Sequence, residues 1–160
     1  MWSGIVDTKK IEQRMKVRVA ENADFITIQE IISLSPELRV SSSDPILTKE
    51  EFLLRLHDPD YLLLVAEEQT VCGFLLATMS DKDRPLQQRY ACIVYLAVHP
   101  QFQHRGFGTQ LLRSCEGLLQ QKGITHLYTW ASTEHPGIAA LLSRAGFQSG
   151  KTYRWMEKKL

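Results

Sequence analysis

Two hydrophobic periods succeed one another along the chain, and their order sets the expected fold. Met15 to Ala20 alternates apolar and polar positions as a half-buried strand does, and Asn22 to Leu34 then carries Phe25, Ile28, Ile31 and Ile32 at helical spacing. Ser35 to Leu47, with two prolines and three consecutive serines, reads as a polar loop. Thr48-Lys49-Glu50-Glu51 opens a second helix as a capping box, in which threonine and glutamate side chains satisfy N–H groups of the first turn. That helix ends near His57, before Pro59. Tyr61 to Glu67 and Val71 to Ser80 predict an antiparallel hairpin around Glu68-Gln69-Thr70.

A charged loop, Asp81 to Arg89, leads to Tyr90–Val98, which is apolar on both alternating faces and so predicts a central strand covered from two sides. Leu111, Leu112, Cys115, Leu118 and Leu119 place a helix over Thr109 to Lys122, stopped by Gly123. Thr125 to Ala131 is the next strand, so strand, helix and strand imply a parallel pair with a right-handed crossover. His135-Pro136 starts a short helix that runs through Ala145 and is stopped by Gly146. Phe147 to Gly150 and Tyr153 to Leu160 read as a closing antiparallel hairpin. The expected class is α/β: a mixed, mostly antiparallel sheet with one central parallel strand pair, flanked by helices. One domain is expected over residues 15–160, after a short leader at 1–14.

Composition narrows the function. At 160 residues the chain is one domain long, enough to bury roughly 70% of its unfolded surface. Its 19 basic and 18 acidic residues leave a net charge of +1 without long runs of either sign, which lacks the footprint of a nucleic-acid binder. Cys72, Cys92 and Cys115 suit neither a disulfide framework nor a Cys-x-x-Cys metal site, and point to a reducing compartment. The longest aliphatic run, Leu62 to Ala66, is far below the ~20 residues that span a bilayer. The expectation is a cytoplasmic protein with no metal, no nucleic acid and no membrane partner.

The chemistry concentrates at Gln103-His104-Arg105-Gly106-Phe107-Gly108, between the apolar strand and the amphipathic helix. Such a loop gathers free backbone N–H groups and the positive end of a helix dipole around one small volume, where an anion binds. A Rossmann fingerprint fails because Leu111 stands where its third glycine belongs, and a P-loop lacks its Gly-Lys-Ser/Thr. The order strand, Leu96-Ala97-Val98-His99-Pro100, Gln103-x-x-Gly106-x-Gly108 and helix resembles the GNAT superfamily of N-acetyltransferases, whose motif is Q/R-x-x-G-x-G/A. Ala145-Gly146-Phe147 at the end of the last helix extends the resemblance.

The resemblance implies acetyl-CoA as acetyl donor. Its pyrophosphate would lie on the backbone of Gln103, His104, Arg105, Gly106, Phe107, Gly108 and Thr109, with glycines where a Cβ would block the phosphate. The backbone of Leu96, Ala97 and Val98 would face the pantetheine arm, and the Val98 N–H would polarise the thioester carbonyl. His135 falls where many members place an asparagine, and Leu142 where they place a tyrosine acid. Cys92 and Val94 fall where many supply a base, although a cysteine on an apolar strand also reads as a packed thiol. Tyr90 and Glu134 are the catalytic candidates, each with a bland alternative: an aromatic at the sheet edge and a solvated loop carboxylate. Trp130 and Tyr153 are candidates for the acceptor pocket, and Arg105 for either a phosphate contact or a solvated face. His99-Pro100 is expected to shape the loop, and His57 and His126 to be structural. The acceptor is then an amine on a small molecule, peptide or protein, with a homodimer allowed for. The rival reading is an acyl-CoA-binding module without fast turnover.

Overall fold

β1 (Lys16–Val19), β2 (Tyr61–Glu67), β3 (Val71–Thr78), β4 (Tyr90–Val98) and β5 (His126–Thr129) form one sheet in chain order in the computed structural model. It describes residues 15–80 and 89–160, so the leader and most of the charged loop expected at 81–89 lie outside the described residues. The first three junctions are antiparallel and β4–β5 is parallel, as the patterning predicts.

Successive residues of β2 explain why its sequence is continuously apolar. Leu62 and Leu64 enter a core with Leu111, Leu112 and Cys115 of α3 (Phe107–Gln121) and Leu142 of α4 (Pro136–Arg144). Leu63 and Val65 enter a second core with Ile28 and Ile31 of α1 (Phe25–Ser33) and Phe52 of α2 (Lys49–His57). A strand covered on both faces has no polar face to show.

Local chemistry fixes the helix starts. The Glu51 N–H donates to Thr48 Oγ1 (3.3 Å) and the Thr48 N–H to Glu51 Oε2 (3.0 Å), the capping box read from the sequence. Ahead of α1, a 3-10 turn at Asn22–Asp24 is tied to the sheet by Arg18. Its guanidinium donates to both Asp24 oxygens (2.7 and 3.0 Å) and to Glu67 Oε2 (2.9 Å), while the Glu21 N–H reaches Asp24 at 2.7 Å. Burial opposes the Asp24 charge, yet the Arg18 and Glu21 hydrogen bonds hold its carboxyl below the usual range.

Three elements differ from expectation. β5 has four residues, and at its last one the Thr129 hydroxyl donates to the Ile93 carbonyl (2.9 Å), so a side chain meets β4 where the ladder ends. α3 begins at Phe107, which places Gly108 inside its first turn. The terminal hairpin does not form: 147–160 carries no strand, and Gln148 to Leu160 is exposed. Apolar alternation suits a strand, but a strand needs a hydrogen-bonded neighbour, and the tail instead meets the serine loop. Ser41 and Ser43 hydroxyls donate to the Glu157 carboxylate at 2.9 and 2.8 Å.

Candidate functional site

β4 and β5 stay paired only from Tyr90↔His126 to Ile93↔Thr129, so Val94–Val98 borders a gap. On its other side β4 carries a bulge: Leu76 faces Tyr95 and Ala77 faces Ile93, which leaves Val94 as the extra residue. The His99 N–H donates to the Cys72 carbonyl at 2.8 Å, just beyond the Gly73↔Val98 pair. Antiparallel alternation then gives the Ala97 amide and carbonyl to Phe74, and turns those of Leu96 and Val98 toward the gap.

The loop at the end of β4 is held firmly. His99 Nδ1 accepts the Gln101 N–H (3.2 Å) over a 3-10 turn at Pro100–Phe102, the loop-shaping role expected of it. Gln103 Nε2 donates to the Val98 carbonyl (3.1 Å). Arg105 pairs with Glu68 Oε2 at 2.7 Å, with its guanidinium 5.5 and 5.4 Å from the Phe102 and Phe107 rings.

His104 (φ 60°) and Gly106 (φ 91°) take left-handed conformations and turn the chain into α3. No side chain caps that helix. The Gln110 N–H bonds the Gly106 carbonyl (3.0 Å), so the amides of Phe107, Gly108 and Thr109 precede the helical ladder and, among the described residues, have no recorded partner. Fifteen residues of helix dipole stand behind them. Gly106 is required by its φ. At Gly108 a Cβ would lie 2.9 Å from Leu141 Cδ2, so α4 packs closely on α3 there and the Leu141 side chain would have to shift for a larger residue.

Patterning missed two cations. Thr109, Leu112, Arg113, Glu116, Leu141, Arg144 and Ala145 line a hollow of about 210 Å³ between α3 and α4, so a carboxylate stands with the two guanidinium groups. The signal was available, because Arg113 lies one helical turn after Thr109 and Arg144 closes α4.

The remaining candidates are spread around the gap. Tyr90 and Cys92 lie on the face of β4 opposite Ala91 and Ile93, which enter the α3 core. Cys92 is buried, as a packed thiol is, and its Sγ lies 3.5 Å from the Ile93 carbonyl. All three cysteines are free; burial raises the Cys72 thiol and pushes Cys115 up to about 12. Val94 is partly exposed on the bulge. Trp130 is 67% exposed, which removes the core reading, and Tyr153 lies on the exposed tail. His126 Nδ1 meets the Thr125 hydroxyl (2.9 Å). Glu134 and His135 are exposed, with the Glu134 N–H on Ser132 Oγ (3.2 Å) and His135 at the start of α4.

Leu142 is 5% exposed within the α3-side core, so the position aligned with a family acid packs inward. Leu142→Tyr should therefore overpack that core and lower stability by about 1–3 kcal/mol without accelerating turnover. Urea unfolding of the variant checks this, and an unchanged midpoint would place residue 142 outside the core.

Among the described residues no helix is long and apolar enough to cross a membrane, and no group of three His, Cys, Asp or Glu side chains is arranged to hold a metal ion.

The sequence profile of the acetyltransferase (GNAT) family matches residues 25–147. No curated protein sequence matches the chain. Solved structures share its fold. An aminoglycoside acetyltransferase from an uncultured soil metagenomic sample, in complex with trehalose, has a TM-score of 0.72 at 16% identity, with 94% of this chain and 99% of that one covered. An aminoglycoside antibiotic 6'-N-acetyltransferase from Acinetobacter baumannii gives 0.71 at 16% identity, covering 92% and 99%. AAC(6')-Iy, in complex with the bisubstrate analog CoA-S-monomethyl-acetylneamine, gives 0.72 at 15% identity, covering 92% and 99%. With the profile spanning most of the chain, and the strand gap and uncapped helix at the positions of its motif, this protein belongs to the acetyltransferase (GNAT) family.

Proposed function

We propose that the protein is a cytoplasmic, acetyl-CoA-dependent N-acetyltransferase that transfers acetyl directly to an amine held beside the donor. The observation that carries this reading is the uncapped start of α3, reached through left-handed Gly106 and adjoining the free edge of β4. It is a donor-rich cradle with no side chain filling it, which suits a pyrophosphate. The amides from Gln103 to Thr109 would hold the pyrophosphate, and the hollow beside them carries two guanidinium groups, Arg113 and Arg144, against the one carboxylate of Glu116. Leu96 and Val98 would present backbone groups to the pantetheine arm, and His135, at the start of α4, would complete the donor contacts.

When bound, acetyl-CoA supplies a thioester carbonyl carbon that an amine nitrogen attacks, with the carbon–sulfur bond breaking and CoA thiolate leaving. The Val98 N–H polarises the carbonyl. Tyr90 orients the incoming amine and Glu134 takes its proton. The tyrosine acid common in the family has no counterpart at Leu142, so water reprotonates the thiolate, a fair leaving group at a reference pKa near ~8.5. Cys92 forms no acyl intermediate.

The inward packing of Leu142 favours the rival reading, a binding module without turnover. Calorimetry with acetyl-CoA and a thiol-release screen across amines separate the two. Binding with release on at least one amine, retained by Cys92→Ala and with no acetyl on Cys92 by mass spectrometry, is expected. Binding without release on any amine supports the module, and no binding removes both readings.

A further inference from the structure

A chain of aromatic rings lines one face of the β4–β5 corner. Tyr90 and His126 are register partners, as are Cys92 and Tyr128, so all four side chains share a face opposite Leu127, which enters the α3 core. The Tyr90 and His126 rings lie 4.7 Å apart and tilted by 30°. Tyr128 follows edge-on at 6.3 Å, and Trp130 meets Tyr128 edge-on at a further 6.3 Å. This is the face that α1 and α2 cover elsewhere, α1 on β3 and β4 and α2 on β2.

Position and chemistry together say what such a wall accommodates. The paired region ends at Ile93↔Thr129, one residue past Tyr128, or about 3.3 Å along the strand. A planar body against Tyr128 and Trp130 therefore leaves a two-carbon arm within reach of the gap. Its four members, Tyr90, His126, Tyr128 and Trp130, present π faces and none of them is a carboxylate. A polycationic amino sugar needs several carboxylates for its ammonium groups, whereas an aromatic ring gains from stacking here.

Resting on the acetyl-transfer reading, we propose that this wall is the acceptor subsite, and that it takes a primary amine joined by a short alkyl arm to a flat aromatic body. Trp130 is its outer, specificity-determining residue.

The test compares tryptamine, hexylamine and kanamycin as acceptors in thiol release, with tryptamine binding followed by calorimetry. Wild type should favour tryptamine over hexylamine about tenfold in kcat/KM. Trp130→Ala should raise the tryptamine KM about tenfold at similar kcat, as expected for one lost stacking contact. Trp130→Phe should recover most of that loss. Trp130 is largely exposed, so these variants fold, and the tail variant Trp155→Ala serves as control. Acetyl-CoA binding with kanamycin preferred, or a tryptamine KM unmoved by Trp130→Ala, overturns the wall and leaves the transferase standing. Failure to bind acetyl-CoA, with tryptamine binding still lost in Trp130→Ala, overturns the transferase and leaves the wall. Without turnover on any amine, tryptamine binding by calorimetry decides: loss of affinity in Trp130→Ala supports the wall, and no binding to wild type overturns it.

Discussion

Gly106→Val should bind acetyl-CoA roughly a hundredfold more weakly than wild type while remaining folded. Residue 106 sits at φ 91° as the residue before α3. There an ordinary L residue carries about 1–2 kcal/mol of strain, and a β-branched one is a genuine outlier. Among the described residues, and apart from its chain neighbours, the only heavy atom within 4 Å of a Cβ placed there is Met15 Cε at 3.7 Å, so the substitution meets conformational strain and no clash with them. The loop relieves that strain by rotating toward negative φ, which turns the following amides off their common focus. A hydrogen bond to a charged group contributes about 1.5–3 kcal/mol, so one or two lost bonds correspond to about a hundredfold. Calorimetry reads the affinity, and circular dichroism should show only a modest loss of stability. Affinity within threefold of wild type would remove the loop from the donor site.

Arg18→Met should lower unfolding free energy by about 3 kcal/mol at neutral pH. The mutation leaves Asp24, only 7% exposed, without the guanidinium that takes both its oxygens, and breaking a buried ion pair from one side costs about 3–5 kcal/mol. For a domain of this size the midpoint should fall by roughly 6–12 °C. The pH dependence carries a sign. The folded Asp24 pKa is depressed, so its stabilisation is complete above its unfolded value near ~3.9 and is lost as pH falls through the folded one. The gap between wild type and variant should therefore be widest near pH 7 and narrow below about pH 4. A variant within about 0.5 kcal/mol of wild type at pH 7 would show the pair to be an ordinary surface contact.

The sequence made the sheet legible because its strands are long and doubly buried. Leu62 to Ala66 and Tyr90 to Val98 admit little but central strands, and Thr48 to Glu51 announces its own helix. What stayed hidden depends on distant neighbours. That Leu141 of α4 comes to rest beside Gly108 is not written in the loop motif. Arg105 looks free until Glu68, on the β2–β3 turn, closes on it. The tail alternates like a strand, yet no local pattern says whether a partner edge awaits it. Trp130 reads equally as core or surface in one dimension, because hydropathy does not say that β5 ends at Thr129, one residue before it.

The bulge at Val94 works as a spacer that the ladder absorbs without losing count. Ile93 opposite Ala77 and Tyr95 opposite Leu76 keep to their own cores on either side of it, so side-chain faces and amide directions are already in step across the extra residue. Deleting Val94 alone would close Ile93 onto Tyr95 in an unbroken ladder, with the Leu96 and Val98 amides still toward the gap; what would go is the local bend beside the place where β4 and β5 part. The stretch from Ile93 to Val98 thus holds one residue in reserve: a single loss can be taken up at the bulge, whereas a second would turn the side chains beyond it to the opposite face.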